Sequence, residues 1–269
     1  MFNLFVDTVL DKLELTNYGC FANFNCYKSF TYADDLILLS ISVTDLQYLF
    51  QVCSDMFEEL DLPINVSKCH CMRIGPRYNT PCKPLSIQNN IINWVDSVNY
   101  LGITIIQAKS FKCQWNDSRG KFYTSVNTIL GRLSCKASID VILKLIHSQA
   151  VPLLLYGISA VTLTNTELHS FSNAYNNIYY KLFRSFDRNT VLYCQWYCGF
   201  WPFDLLYDYH RYNFFNKLVV TKYVDSRLDL DNPDYFEFIN IKHKYNILAN
   251  DSVAKIRYKF WRHFENRLP

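Results

Sequence analysis

Residues 30–40 read F-T-Y-A-D-D-L-I-L-L-S, which sets Asp34 and Asp35 side by side between two runs with the composition of β-strand. An aspartate is almost never fully buried unless it is paired or bound to a metal, because removing its charge from water is costly. The pair therefore needs solvent or a cation. Successive side chains in a strand point to opposite faces, so two neighbouring aspartates within one strand could not serve one site. A tight turn between Tyr32 and Leu36 lets both approach one cation cluster. As ordinary turn chemistry, the same pair reads as a solvated turn.

Upstream, Phe2, Phe5, Val6, Val9, Leu10 and Leu13 recur at helical spacing with no capping residue before them. Between Gly19 and the pair, C-F-A-N-F-N-C-Y-K-S-F-T-Y reads as two short aromatic strand segments broken near Asn25. Downstream, Leu46, Leu49, Phe50, Cys53, Met56, Phe57 and Leu60 form a helical stripe that opens with Thr44 and Gln47 at capping-box spacing and ends before Pro63. A short strand is expected over Lys68–Ile74, followed by the loop G-P-R-Y-N-T-P-C-K-P at 75–84. Then L-S-I-Q-N-N-I-I-N-W reads as a hairpin turning at Asn89–Asn90, and V-N-Y-L-G-I-T-I as a strand bent at Gly102.

From about residue 117 the period becomes helical. Phe122, Val126, Ile129, Leu130 and Leu133 make one stripe, and Val141, Ile142, Leu145 and Ile146 a second. A third, Leu168, Phe171, Tyr175, Ile178, Leu182 and Phe186, opens with Thr164 and Glu167 at capping-box spacing. Arg119, Lys121, Arg132, Lys136, Lys181, Arg184 and Arg188 are assigned to the exposed sides. Helices are expected again around Leu205–Val220 and Val253–Phe264.

The 269 residues, half of them hydrophobic and only 19% charged, suit a globular chain of one or two domains and argue against disorder. The net charge of +3 conceals an acidic front, −5 over residues 1–100, and a basic remainder, +8 over residues 101–269. Such an asymmetry suits a metal centre joined to a polyanion-binding part, and equally two solvated surfaces of unequal sign. The ten cysteines form no small secreted disulfide framework, and the opening M-F-N-L-F-V-D-T-V-L-D-K is too acidic for a signal peptide. The expected location is intracellular, in nucleus or cytoplasm. The 22 uncharged residues between Lys144 and Glu167 include His147, Gln149, Pro152 and Asn165, so they read as a buried helix and its exit turn and not a membrane span.

The order of motifs is more specific than any one of them. F-N-L-F-V-D at 2–7, Y-A-D-D at 32–35, L-P-I-N-V-S-K-C-H-C-M at 62–72 and Y-L-G-I at 100–103 resemble, in sequence order, the template-proximal helix, catalytic hairpin, next palm motif and primer grip of the reverse transcriptases of non-LTR (LINE-type) retrotransposons. A-Y-N-N-I-Y-Y-K-L-F at 174–183 resembles the region after that family's thumb. The resemblance implies an α+β fold: residues 1–106 as the C-terminal half of a polymerase palm, 107–200 as a thumb-like helical domain, and 201–269 as an aromatic helical extension. It implies RNA-directed DNA polymerisation by two-metal nucleotidyl transfer, with Mg²⁺ or Mn²⁺ held by Asp34 and Asp35, Lys68 aimed at the triphosphate, and Tyr100, Leu101 and Gly102 supporting the primer end. Arg119, Lys121, Arg132 and Lys136 would contact nucleic acid. The implied partners are an RNA template, a DNA primer and deoxynucleoside triphosphates, with no membrane.

Zinc is not expected. Cys69, Cys71 and Cys82, with His70 nearby, lack a second Cys pair and read as core cysteines, and Cys194 and Cys198 with His210 lack a fourth ligand. The family's fingers and the palm strand bearing a third catalytic aspartate do not precede Met1, so the expectation is a polymerase fragment without activity of its own. That expectation extends to the gene: the nucleotides upstream of the Met1 codon should continue into the missing motifs. The alternative readings are a non-catalytic nucleic-acid-binding thumb module and a degraded element copy without function.

Overall fold

The computed structural model describes residues 2–22, 25–87, 90–133, 136–220 and 233–269, and for residues 2–5, 22, 220 and 233 the backbone alone. The chain is α+β: small antiparallel sheets come first and a mostly helical region follows. It divides into two compact units, Met1–Gln114 and Trp115–Pro269.

In the first unit, α1 (Phe2–Glu14) buries Val6, Val9 and Leu13, as its spacing requires. Two hairpins follow, β1 (Cys20–Ala22) with β2 (Asn25–Tyr27), and β3 (Ser29–Tyr32) with β4 (Asp35–Leu38). Lys28 lies between them, only 3% exposed. Its ammonium donates to the carbonyls of Glu14 and Thr16 at 3.0 and 2.6 Å and stands 3.6 Å from the Glu14 carboxylate. Carbonyls at a helix C-terminus lack intrahelical partners, and here a buried lysine supplies one.

Helix α2 (Val43–Glu59) divides two cores. One side, Leu49, Cys53 and Phe57, packs on Val6, Val9 and Leu13 together with Leu36 and Leu38 of β4. The other, Phe50, meets Cys71 and the hairpin of β5 (Leu85–Ile87) with β6 (Asn90–Ile92). The strand period of two thus ties β4 to the helices through Leu36 and Leu38 and turns Asp35 to the opposite face. Gln47 joins the same assembly from α2: its amide accepts from Ser86 N at 2.9 Å and donates to Ser86 O at 2.7 Å. A three-stranded meander, β7 (Ser97–Tyr100), β8 (Ile103–Ile106) and β9 (Lys112–Gln114), completes the unit.

The second unit opens with α3 (Asn116–Leu133). Then α4 (Ile139–Leu145), a π-helical turn (Ile146–Ala150) and α5 (Val151–Leu155) form one run that exits through Tyr156 and left-handed Gly157. Pro152 has no N–H to return to the preceding turn and its ring crowds that turn, and the helix widens directly before it. This run is the buried helix and exit turn expected between Lys144 and Glu167. Next come α6 (Asn165–Phe183), closed at its start by the Thr164–Glu167 capping box, α7 (Arg188–Tyr197), α8 (Phe203–Val220), α9 (Pro233–Lys244) and α10 (Val253–Glu265). The later helices share a core of Leu205, Tyr212, Phe215, Phe238, Ile241, Phe260 and Phe264. Among the described residues no helix is long and apolar enough to cross a membrane.

Several local expectations are corrected. Ser42, not Thr44, caps α2, accepting from Asp45 N at 3.1 Å, and Gln47 is engaged with Ser86. Lys68–Ile74 forms no strand: Val66–Lys68 is a 3₁₀ turn, and one parallel bridge joins Cys71 to Trp94. Gly102 does not bend a strand but shares a hairpin turn with Leu101, φ 77° and 49°, with Tyr100 paired to Ile103. Asn90 already belongs to β6, paired with Ile87, while Asn89 lies outside the described residues. The side chains of Phe2 and Phe5 also lie outside them. Val141 is exposed, and Leu143 takes its place in the core beside Ile142 and Ile146. Helices α7 and α9 have no counterpart in the periodicity reading.

Candidate active site and nucleic-acid interface

The Y-A-D-D stretch is a hairpin tip. Ala33 and Asp34 make the turn, Ala33 at a φ of 54°, and Tyr32 pairs with Asp35. Residues paired across antiparallel strands share a face, so Tyr32 and Asp35 stand together on the face away from Leu36. Both aspartates are exposed and Tyr32 is 62% exposed. Solvent therefore satisfies the carboxylates without any buried partner.

A second hairpin carries Tyr100 at the end of its first strand. The Tyr100 phenol is pushed above its ordinary pKa, first by burial, then by the Asp35 carboxylate and the Tyr32 phenol. The Tyr100 side chain is thus near enough to Asp35 and Tyr32 for their charges to act on it, and the next residues, Leu101 and Gly102, form the β7–β8 turn. Lys68 is exposed at the end of its 3₁₀ turn, whose cap is Asn65, accepting from Ser67 N at 3.2 Å. Among the described residues no hydrogen bond or ion pair joins Lys68 to Asp34 or Asp35.

The carboxylates of Asp34 and Asp35 are oxygen donors of the kind that Mg²⁺ takes, and exposure leaves them open to a cation that keeps several of its waters. Among the described residues no group of three or more His, Cys, Asp or Glu is placed to hold a metal ion.

The four basic residues singled out on the second unit do not form one face. Arg119 is half-buried and turned toward α6, donating to Ser170 Oγ and, at 2.6 Å, to Asn116 Oδ1, while its Nε is buried without a partner. Lys121 and Arg132 are exposed and eleven residues apart, three helical turns, so they share one flank of α3. Lys136 is exposed beyond the helix end, its backbone N donating to Leu133 O at 2.9 Å.

Two buried polar clusters escaped sequence reasoning. Arg211, 1% exposed, donates to Glu237 through Nε at 2.8 Å and through a second nitrogen, and to Ser159 O and Thr162 Oγ1 at 3.0 and 2.9 Å, with its guanidinium 4.3 Å from the Phe215 ring centre. His147 in the π turn stacks on Phe200 and lies within hydrogen-bonding distance of the Tyr175 and Tyr179 hydroxyls. Nothing in the periodicity pairs positions so far apart in the chain. The exposed Phe186 was assigned to a core stripe, although its flanking arginines, R-S-F-D-R, could have marked it as a surface residue.

A family-level sequence profile described as reverse transcriptase (RNA-dependent DNA polymerase) matches residues 1–105, which contain both hairpin tips. Comparison with curated proteins gives no match.

Proposed function

We propose that residues 1–106 are the C-terminal half of a reverse transcriptase palm of the non-LTR retrotransposon type, that 107–200 form its thumb, and that the parent reaction is RNA-directed DNA polymerisation. The observation that carries this reading is that the stretch matched by the reverse transcriptase profile, residues 1–105, presents Asp34 and Asp35 together at an exposed hairpin tip. Asp34 and Asp35 would hold Mg²⁺ or Mn²⁺. When bound, such a cation polarises phosphoryl oxygens and favours deprotonation of a coordinated hydroxyl. Tyr32 and Ala33 shape the approach for a primer end, Tyr100 with the Leu101–Gly102 turn supports that end, and Lys68 would meet the triphosphate as a cation. Residues 201–269 extend the helical part.

Two carboxylates are too few to position the reacting groups alone, so the chain by itself is expected to extend no primer on an RNA template. The second reading is a nucleic-acid-binding module without catalysis. The exposed cations of the second unit favour it.

Paramagnetic broadening by Mn²⁺ in the presence of a deoxynucleoside triphosphate tests the palm assignment. Amide signals of residues 32–36 and 100–102 should broaden first, and the double variant Asp34→Asn/Asp35→Asn should lose the effect. Broadening that is unchanged in that variant, or that centres elsewhere, would refute the assignment. Primer extension that disappears in Asp34→Asn would instead show that the two carboxylates suffice.

A further inference from the structure

Residues 180–188 read Y-K-L-F-R-S-F-D-R and join α6 to α7. Arg184 ends α6 in the left-handed region, φ 53°, and the reversed chain brings the Phe186 ring back to 5.5 Å from that of Tyr180. Phe186 nevertheless remains 84% exposed, the most exposed large hydrophobic side chain among the described residues. Burying a phenyl ring is worth kcal/mol to a fold, so a ring held outside at a fixed turn is available to something else.

Its surroundings specify what. Lys181, Arg184 and Arg188 are exposed, and among the described residues none of the three is in an ion pair. Lys181 donates to the neutral Asn127 Oδ1 at 2.7 Å and keeps its charge uncompensated. The one acid of the segment, Asp187, is committed to α7, accepting from Thr190 N and Thr190 Oγ1 at 2.7 Å each. On helix α10 Tyr258 is also exposed, but Lys255 and Lys259 both pair with Asp251 and Arg262 stands 3.8 Å from Glu265, while Arg257 beside it lies over the Tyr209 ring.

We propose that Phe186, backed by Tyr180 and flanked by Lys181, Arg184 and Arg188, is a stacking platform for an unpaired base of single-stranded nucleic acid, with the three cations on its phosphates. A free aromatic face accepts a base face only where that base is not already stacked in a helix, and a duplex presents edges and phosphates instead. A membrane surface fits less well. Interfacial helices present a broad apolar face, whereas the outer side of α6 around Tyr180 carries Asn173 and His169. The assignment rests on the polymerase reading only for the identity of that strand as the template; the binding itself rests on the geometry of this turn.

The test is fluorescence anisotropy of the full chain with a labelled single strand of about a dozen nucleotides and with the duplex of the same length. The single strand should bind more tightly, with a log–log salt slope near about −2 for three phosphate contacts. Phe186→Ala should weaken it about tenfold, Phe186→Trp should preserve it, and Tyr258→Ala should leave it unchanged. Arg184→Gln should reduce the magnitude of the slope by about 0.7. Asp34→Asn/Asp35→Asn should not affect it, so failure of the metal assignment and failure of this one are separable. Tighter binding to duplex, full affinity in Phe186→Ala, or binding to phosphatidylserine vesicles with none to the oligonucleotide would overturn the proposal.

Discussion

Acidification should unfold the second unit through His147. The ring stacks on Phe200 with centroids 3.6 Å apart and planes 11° apart, and its Nε2 lies 3.2 Å from Tyr179 Oη and 3.3 Å from Tyr175 Oη. Tyr175 donates its proton to Trp201 O at 3.0 Å, so Tyr179 holds the remaining hydroxyl proton, within reach of both a neutral Nε2 and Tyr175 Oη. Burial lowers the His147 pKa from 6.5 to about 4. Protonation would charge a desolvated ring and remove Nε2 as an acceptor. The unfolded chain therefore binds a proton at higher pH than the folded one, and stability must fall with pH across that window. The contribution is complete above about 6.5, declines as pH drops toward about 4, and is constant below; 1.36 kcal/mol per pKa unit sets a ceiling of about 3 kcal/mol. His210 and His263 are also lowered, each mainly by burial, and add slopes of the same sign. The diagnostic quantity is thus the difference between the wild type and His147→Gln. Urea denaturation followed by tryptophan fluorescence reads mainly this unit, since four of the five tryptophans, Trp115, Trp196, Trp201 and Trp261, lie in it. The variant should be less stable near neutrality but lose the extra slope. An identical slope in both proteins would refute the account.

Two further outcomes follow from named contacts. Lys121→Glu should weaken nucleic-acid binding for all sequences alike at unchanged stability, whereas Arg119→Glu should also lower the urea midpoint, because Arg119 braces α3 against Ser170 of α6. Arg211→Met should destabilise by about 2–3 kcal/mol by leaving the partly exposed Glu237 with the Thr162 hydroxyl but no cation, and Arg211→Met/Glu237→Leu should recover most of that loss in the same urea assay. A single variant as stable as the wild type would show that water replaces the guanidinium.

Elements whose signal lies in their own period were legible in the sequence. The stripes of α1, α2, α3 and α6 name their buried residues, and the Thr164–Glu167 box marks the start of α6 to the residue, because capping is a local hydrogen-bond exchange. The turn at Asp34 was legible because two carboxylates cannot sit in adjacent buried strand positions. What failed was decided by distant partners. Gln47 has the spacing of a cap but a better use in the two backbone bonds of Ser86, and Lys68–Ile74 has strand composition but a single bridge, Cys71 to Trp94. Arg119 has helical surface spacing, yet the neighbouring α6 turns it inward. The proximity of Tyr100 to Asp35 depends on how two separate hairpins pack, which no period encodes.

The backbone itself supplies the last argument about where function lies. Five described non-glycine residues have positive φ: Ala33, Asp61, Leu101, Arg184 and Asn246. Aspartate and asparagine tolerate that region, so Asp61 and Asn246 need no special account. Ala33, Leu101 and Arg184 do, since an L-residue with a full Cβ is strained there by about 1–2 kcal/mol. Two of these three stand at the tips of the β3–β4 and β7–β8 hairpins, and the third is at the turn that presents Phe186. Selection for stability alone would have put glycine or asparagine at each. Ala33→Gly should therefore stabilise the first unit. Relief of the left-handed strain outweighs the extra freedom glycine gains in the unfolded chain, for a net gain of about 0.5–1 kcal/mol, read as slower hydrogen exchange of the Ile37 and Leu39 amides, the latter donating to Lys28 O at 2.8 Å. If Ala33→Gly is neutral or destabilising, no strain is stored at that tip, and the coincidence of strained residues with candidate sites carries no functional meaning.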